Sequence, residues 1–213
     1  MAPRLSKVDE LILDQHGSLT AEDECYYLLE WTRGGGYSAS ATNQLIANLR
    51  KTNDKKGTLG YHYKEEAIET SAYNLRNAIN AEWLKEATLV PIPPSSCRSD
   101  PNYDDRMTGV LRALTRGLAK RDIRELIIHR ESMTPAHTSG DCRPTVAEIR
   151  ANYEIDESLV EPSPRIIGIF DDILTAGSHF RAAKMLLTER FPAVPVIGVF
   201  IARRIFPPSG SDV

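Results

Sequence analysis

The most informative stretch of the chain is RIIGIFDDILTAGSHFRAA, which runs from Arg165 to Ala183. A short apolar run leads into Asp171 and Asp172, a Thr-Ala-Gly-Ser turn follows them, and a helical pattern follows the turn. Continuous apolar runs are typical of strands that are covered on both faces, as in parallel sheets. The stretch therefore predicts a buried strand over residues 166–170, with both aspartates at its carboxyl end.

Short apolar runs alternate with helical patterns through the C-terminal part of the chain. Such alternation indicates right-handed crossovers and a parallel sheet with helices on both faces. In open parallel sheets, ligands bind beyond the carboxyl ends of the strands. We therefore predict an α/β fold whose site is formed by the loops after the strands. The predicted strands are residues 88–92, 125–129, 166–170 and 194–202, and the predicted helices are residues 105–119, 145–152 and 178–190.

The first 85 residues differ from this pattern, and we predict that they form a mainly helical extension or hood. The apolar residues between 64 and 86 step by three and four along the sequence, which predicts one amphipathic helix. An alternating pattern favours a strand over residues 24–33, and residues 38–51 favour a helix. The predicted organisation is an extension over residues 1–85, a core over residues 86–205 and a disordered tail over residues 206–213.

The composition is that of an ordinary globular protein and argues against two classes of partner. The chain has 213 residues, of which 41% are hydrophobic and 26% are charged, and its net charge is −3. This charge gives no electrostatic footprint for nucleic acid or for a membrane surface, so we expect neither as a partner. No apolar stretch reaches the ~18 residues that a membrane span needs. The basic cluster of Arg50, Lys51, Lys55 and Lys56 is interpreted as a solvated turn.

The three cysteines, Cys25, Cys97 and Cys142, are widely spaced and odd in number. This pattern argues against a disulfide framework and against a zinc site. The first residues of the chain carry acids and have no apolar core, so they are not typical of a signal peptide. We therefore expect reduced thiols and a cytoplasmic location.

The residues after the predicted strand at 166–170 place hydrogen-bond acceptors before donors. Asp171 and Asp172 can accept from sugar hydroxyls, and the small residues that follow let a ligand approach their backbone closely. N–H groups at a helix start can converge on an anion, and two side-chain hydroxyls add further donors, so a sugar phosphate fits this order. The alternative is a pair of exposed loop acids, one of which caps the helix. The predicted phosphate loop consists of Leu174, Thr175, Ala176, Gly177 and Ser178.

The segment FDDILTAGS, residues 170–178, resembles the motif that binds phosphoribosyl pyrophosphate (PRPP) in type I phosphoribosyltransferases. The resemblance covers about residues 86–203 and implies the parallel-sheet core of that family. It implies that Asp171 and Asp172 hold the ribose hydroxyls and contact Mg²⁺ only indirectly, through those hydroxyls or through water. It also implies that residues 174–178 hold the 5′-phosphate.

A second segment, LVPIPPSS, is similar to the loop after the first core strand of this family, and most similar to that of the ComF group. The resemblance implies that Pro94, Ser95 and Ser96 lie in a loop that binds pyrophosphate. The alternative is a proline-rich turn. The ComF group continues with an Arg-Gly-Phe-Asn-like stretch, where this chain has YDDRMTG.

Residues 131–147 resemble the flexible loop that closes over the diphosphate in the family. The resemblance implies that Arg143, or else Arg98, neutralises the pyrophosphate, and the alternative for either arginine is a solvated side chain. His137 and His179 are interpreted as surface residues or as hydrogen-bond donors to a phosphate. Weaker matches in this part of the chain are Arg130, Thr134 and Arg150.

The leading hypothesis is a Mg²⁺-dependent enzyme that transfers the phosphoribosyl group of PRPP to a nucleobase or related acceptor and releases pyrophosphate. The leaving group carries much negative charge, so the reaction needs a divalent ion, cationic side chains and exclusion of water. The alternative is a non-catalytic sensor of PRPP or of a nucleotide, which acts through a protein partner. A sugar-phosphate hydrolase is a third hypothesis. Residues 1–85 offer a surface for such a partner or for a homodimer.

Overall fold

The computed structural model describes residues 3–132 and 144–207 of the chain, and these residues form seven strands and six α-helices. The strands are β1 (Ser6–Lys7), β2 (Cys25–Thr32), β3 (Ala87–Pro91), β4 (Ile127–His129), β5 (Tyr153–Ile155), β6 (Ile166–Leu174) and β7 (Val196–Ile205). The helices are α1 (Ala41–Leu49), α2 (His62–Ala78), α3 (Ala81–Glu86), α4 (Arg106–Leu114), α5 (Val146–Asn152) and α6 (Ser178–Arg190).

A five-stranded sheet lies at the centre of the fold, with the strand order β1-β2-β7-β6-β3. The pairs β2/β7, β7/β6 and β6/β3 are parallel, and the two-residue β1 runs antiparallel to β2. The prediction of an α/β fold with a mostly parallel sheet is therefore confirmed. The prediction that residues 125–129 join this sheet is wrong, because β4 pairs antiparallel with β5 in a separate two-stranded sheet.

The strand order changes direction between β3 and β6. After β3 the chain continues to Ile123, which forms a parallel bridge with Leu89 on the side of β3 that faces away from β6. After β6 it continues to β7, on the other side of the pair. Connections that leave in opposite directions open a crevice beyond the carboxyl ends of their strands. The residues after Pro91 and after Leu174 therefore flank the position where open parallel sheets bind ligands.

Two hydrophobic cores cover the two faces of the sheet. Ile169 of β6 belongs to the first core and Phe170 to the second, because successive side chains of a strand point to opposite faces. Helices α5 and α6 supply the first core, and helices α1 to α4 supply the second. Full burial of one such large side chain contributes roughly 1.5–3 kcal/mol, so both faces are strongly held. Helices therefore occupy the faces, and the ends of the strands are left for a site.

The residues before 86 share the central sheet with the rest of the chain. β2 pairs in parallel with β7 from Cys25 to Thr32, so the strand predicted at residues 24–33 is present. Helices α1 and α2 pack into the second core against α4 and the sheet. Residues 1–85 contain α1, α2 and most of α3, but they also extend the sheet on which the candidate site is built.

The single helix predicted over residues 64–86 is interrupted between α2 and α3. The side chain of Asn80 accepts hydrogen bonds from the amides of Glu82 and Trp83, at 2.8 and 3.2 Å, and so caps a second helix. Trp83 then packs against Gly168 of β6, where a Cβ atom would lie 2.5 Å from the indole ring. The apolar period continues across this break, so periodicity alone does not reveal it.

Candidate functional site

The two aspartates lie inside β6, which runs on to Leu174, so the prediction that the strand ends at residue 170 is wrong. β7 extends as far as Ile205 and supplies a partner for this part of β6, with Asp171 opposite Phe200. Side chains alternate along a strand, so Asp171 and Asp172 face different surroundings.

Asp172 is buried, with 1% of its surface exposed, and it is bound by two arginines. Arg50 donates from Nε to Oδ2 at 2.7 Å and from Nη2 to Oδ1, which makes a bidentate pair. Arg106 donates from Nε to Oδ2 at 3.0 Å. Burial alone would raise the pKa of Asp172, but the two guanidinium groups outweigh burial and hold this pKa well below its usual range. Asp172 is therefore ionised at neutral pH.

A second buried ion pair holds these arginines in place. Lys64 of α2 donates from Nζ to Asp104 Oδ1 at 2.7 Å, and Arg106 donates from Nη1 to Asp104 Oδ2 at 2.8 Å. Lys64 also donates to the carbonyl oxygen of Lys51 at 2.6 Å, directly after Arg50. Ion pairs and hydrogen bonds thus join three helices of the second core, α1, α2 and α4, to the end of β6.

Asp171 is partly exposed and lines a recess beyond the end of β3. Its Oδ1 accepts a hydrogen bond from the amide of Asp172 at 2.8 Å. Burial, together with the charge of Asp172, raises the pKa of Asp171 above its usual value. This carboxyl group therefore titrates closer to neutrality than an ordinary aspartate. The recess is also lined by Pro93, Pro94, Tyr103, Arg106 and Thr108.

Residues 174–178 form a tight connection between β6 and α6. Gly177 has a φ of 87°, in the left-handed region that favours glycine, and α6 begins at Ser178. The first amides of a helix have no acceptor within that helix, so they offer donors to an anion. The side chains of Thr175 and Ser178 are partly exposed. The connection thus presents backbone and hydroxyl donors close to the aspartates.

Residues 16–19, which we call the cover segment, pack on one side of this connection. The amide of Ser18 donates to the carbonyl oxygen of Ala176 at 2.9 Å. A Cβ atom on Gly177 would lie 2.6 Å from Leu19 Cδ2, so the leucine packs directly on the glycine. Two more contacts lie here, from His16 Nδ1 to Thr175 O at 2.5 Å and from Ser18 Oγ to Ser178 Oγ at 2.9 Å.

Asp23 anchors the cover segment on α6. Its side chain is fully buried and accepts from Lys184 Nζ at 2.7 Å and from Arg181 Nη1 at 2.9 Å. The amide of Thr20 donates to the other carboxylate oxygen at 2.8 Å. Burial opposes ionisation, but these donors outweigh it and lower the pKa of Asp23. The cover segment is therefore held on its side of the crevice by buried contacts like those of a protein core.

The predicted pyrophosphate loop also lies at the crevice. Pro94 lines the recess beside Asp171, and Ser95 and Ser96 follow it with partly exposed side chains. In the predicted closing loop, residues 133–143 lie outside the described part of the chain. Arg143, Thr134 and His137 belong to those residues, so their roles stay predictions.

Three other arginines suggested by the sequence are held in ion pairs with other acids. Within the described part of the chain, none of the three lines the recess beside Asp171. These side chains therefore do not supply the positive charge that faces the aspartates. Arg98 is paired with Glu125 and Asp156, Arg130 with Glu154, and Arg150 with Glu189.

His179, the second residue of α6, is hydrogen bonded to a buried tyrosine. The hydroxyl of Tyr153, which is fully buried, lies 2.8 Å from Nδ1 of His179. Burial lowers the pKa of His179, so its ring is largely neutral at pH 7. His179 is thus a packed side chain rather than a free surface residue, and its contact with a phosphate stays a prediction.

The two arginines bound to Asp172 are site residues that sequence reasoning missed. The interpretation of the basic cluster as a solvated turn is wrong for Arg50, because its guanidinium group is bound to a buried carboxylate 122 positions away. No local pattern could have indicated that contact. Arg106 follows two aspartates at the start of a helix, and this was the available signal for an ion-pair network.

A comparison of the chain with protein-family models found no match, and a comparison with curated proteins found none either. None of the described helices is long and apolar enough to cross a membrane. Within residues 3–132 and 144–207, no three acidic, histidine or cysteine side chains come together as ligands for a metal ion.

Proposed function

We propose that the protein is a Mg²⁺-dependent phosphoribosyltransferase with a type I-like core, which binds PRPP at the crevice between β3 and β6. It transfers the phosphoribosyl group to a nucleobase or related acceptor and releases pyrophosphate. One observation carries the proposal: Asp171, Pro93 and Pro94 line the same recess, and residues 174–178 follow Asp171 at the end of the same strand. These segments are distant in the chain, and the parallel sheet brings them to one edge, as the resemblance to type I phosphoribosyltransferases implies.

Each segment has its own role in this proposal. Asp171 accepts hydrogen bonds from the ribose hydroxyls, because of the two adjacent aspartates it is the one that lines the recess. The amides at the start of α6, with the hydroxyls of Thr175 and Ser178, hold the 5′-phosphate. Residues 94–96 lie against the pyrophosphate end of the ligand. The site thus holds the anomeric carbon between two anion-binding parts and keeps water away from it.

The donor set fits a Mg²⁺ ion that is held mainly by the ligand. Mg²⁺ keeps several water molecules and is bound through one or two carboxylates and phosphate oxygens, rather than by a cage of protein ligands. Asp171 offers one partly exposed carboxylate at the recess, which suits this mode of binding. When bound, the ion would neutralise charge on the departing pyrophosphate.

A second candidate function is a non-catalytic sensor of PRPP or of a nucleotide. Contacts that the chain itself makes within the crevice favour it. Asp172 is neutralised by Arg50 and Arg106, and Leu19 packs on Gly177, so both parts are engaged by the chain itself. A sensor needs contacts that a ligand can change, and it needs no turnover. Its signal would pass to a protein partner through residues 1–85, which supply the cover segment and Arg50.

The cysteines support a reducing location for either function. Cys25 is buried, and burial raises the pKa of its thiol far above the usual value, so it is unreactive. Cys97 is a free, partly exposed thiol. A free, partly exposed thiol is preserved in a reducing compartment, so we propose a cytoplasmic location.

Pyrophosphate release from PRPP with Mg²⁺, measured across purines, pyrimidines and nicotinate-like bases, tests the enzyme against the sensor. The enzyme predicts release with at least one base and a fall of about 10²–10³ in Asp171→Asn, because a charge beside a developing cation is lost. Glu157→Gln changes an exposed acid paired with Arg190 and should keep full activity. PRPP binding without release from any base favours the sensor, and absence of both binding and release refutes both functions.

A further inference from the structure

We propose that Arg50 and Arg106 form an oxyanion-binding pair beside the recess, positioned by Asp172, which binds the diphosphate group of the ligand. The inference deepens the proposed function and rests on it for the place of the ligand. It gives Asp172 a positioning role in place of the contact with ribose that the sequence suggested. It also assigns to Arg50, from the N-terminal part of the chain, a task that the sequence suggested for Arg143.

The two guanidinium groups keep donors that the protein does not use. Arg50 binds Asp172 through Nε and Nη2, and Arg106 binds Asp172 through Nε and Asp104 through Nη1. Among the described residues, Arg50 Nη1 and Arg106 Nη2 have no hydrogen-bond partner. A guanidinium group carries five N–H donors in a rigid fork, so fixing one edge also fixes the direction of the remaining donors.

Both side chains can be reached by a ligand. The side chain of Arg106 is 21% exposed and lines the recess with Asp171 and Pro94, and the side chain of Arg50 is 39% exposed. Both arginines donate to the same oxygen, Asp172 Oδ2, at 2.7 and 3.0 Å, so their guanidinium groups are neighbours. One oxyanion can therefore contact both arginines while they stay bound to the aspartate.

The anion would be held by the two arginines themselves rather than by the net charge of the recess. Two positive charges, on Arg50 and Arg106, meet the single negative charge of Asp172. Asp104, which pairs with both Lys64 and Arg106, also lines the recess. Asp105, Glu125 and Asp171 line it too, so the recess as a whole holds no surplus of positive charge. The diphosphate group, bound together with the Mg²⁺ of the proposed function, supplies several acceptor oxygens that suit guanidinium forks.

Both arginines are held by rigid parts of the fold. Arg106 is the first residue of α4, and Arg50 directly follows the last residue of α1. The carbonyl oxygen of Lys51 is fixed by Lys64 at 2.6 Å, which restrains the backbone beside Arg50. Pre-organised side chains lose little conformational freedom when a ligand binds, so their contacts contribute more affinity.

Calorimetric titrations of the full chain test the inference with two separate probes, inorganic pyrophosphate and ribose 5-phosphate. We expect Arg50→Gln and Arg106→Gln each to weaken pyrophosphate binding about tenfold or more, since each removes charge-assisted hydrogen bonds to the anion. Binding of ribose 5-phosphate, which uses Asp171 and the start of α6, should be unchanged. Arg112→Gln is the matched control, because Arg112 lies on α4 and is exposed at 67%. It should leave both probes unaffected.

Lysine variants keep the inference testable if a glutamine variant fails to fold. Arg50→Lys and Arg106→Lys retain a positive charge beside Asp172 but lose the forked donors of the guanidinium group. Pyrophosphate binding should therefore fall by an intermediate amount. Unchanged pyrophosphate affinity in these variants, or no pyrophosphate binding by the wild-type protein, overturns the inference. Equal weakening of both probes also overturns it. Pyrophosphate binding that depends on the arginines, without any binding of ribose 5-phosphate, supports the inference and refutes the proposed function.

Discussion

The two sides of the crevice at the end of β6 are built in different ways. On one side the cover segment packs on residues 174–178, and Asp23 fixes it to α6. On the other side the recess beside Asp171 is bordered by side chains that still have exposed surface and unused donors. The first side is held by packing and buried ion pairs, as a core is. The second side has exposed polar groups that a ligand can contact, and Thr175 and Ser178 keep partly exposed side chains beside it.

The same contrast separates two neighbouring residues of β6. Asp172 faces inward, is ionised and is bound by two arginines, whereas Asp171 faces the recess with a raised pKa and a single hydrogen bond from the backbone. Two adjacent aspartates therefore have different structural environments and different roles. Stability should depend mainly on Asp172, and ligand chemistry mainly on Asp171.

The largest effect on stability is expected from Asp172→Asn. Removing this charge leaves Arg50 and Arg106 partly buried without their shared partner, and breaking a buried ion pair costs about 3–5 kcal/mol. Denaturant unfolding should show this loss. Glu69→Gln is the matched control, because Glu69 also forms a bidentate pair with an arginine, Arg116, but both side chains are exposed. The control should lose at most about 1 kcal/mol. Equal losses in the two variants would contradict the distinction.

The next effect is expected from Gly177→Ala. Alanine in the left-handed region costs roughly 1–2 kcal/mol, and its Cβ atom would overlap Leu19, which adds about 1–3 kcal/mol. The second variant Leu19→Ala makes room for the new atom. The double variant should therefore be less destabilised than the sum of the two single variants. Strict additivity in thermal unfolding would show that Leu19 does not pack on this glycine.

A smaller loss, about 2 kcal/mol, is expected from Asp23→Asn. Its partners Arg181 and Lys184 are partly exposed, so the cost lies between those of a buried and an exposed ion pair. Glu157→Gln, which breaks an exposed ion pair with Arg190 of the same helix, is the control. Hydrogen exchange should also become faster in the cover segment of Asp23→Asn and not in the control. Unchanged exchange there would remove the anchoring role.

The sequence was sufficient for the parts of the fold that repeat. Burial imposes a regular spacing on apolar residues, so the strands at residues 166–170 and 194–202 were predicted close to their observed positions, and the helix at 178–190 was predicted at its observed position. The end of β6 was misplaced because charged residues in a sequence look like the end of a strand. β7 continues beside these residues and keeps them in the sheet.

The site was predictable only where its residues are contiguous. Asp171, Asp172 and residues 174–178 form one short motif, and the sheet places that motif at the crevice. The partners of Asp172 could not be found in this way, because Arg50 approaches from 122 positions away in the chain. The cover segment was missed for the same reason. Its contacts with residues 174–178 arise from the tertiary packing of β2 beside β7.

The smallest effect on stability is expected from Asp171→Asn, and this variant should be stabilised rather than destabilised at neutral to alkaline pH. The pKa of Asp171 is raised in the folded protein, so the folded state binds this proton more tightly than the unfolded chain does. Its contribution to stability is therefore full at low pH and is lost as the pH rises from the ordinary aspartate value of ~3.9 through the raised pKa. Asparagine cannot ionise, and its Oδ1 can still accept the hydrogen bond from the amide of Asp172.

At about pH 8, Asp171→Asn should therefore unfold at a slightly higher temperature than the wild-type protein, and the difference should disappear at about pH 3, where both side chains are neutral. The same variant should lose PRPP-dependent activity, because the group that destabilises the fold is the one that faces the ligand. Melting curves across this pH range check the prediction. A melting temperature below that of the wild type at the higher pH would show that ionised Asp171 stabilises the fold. That result would contradict the distinction between Asp172 as the stabilising residue and Asp171 as the ligand-facing residue.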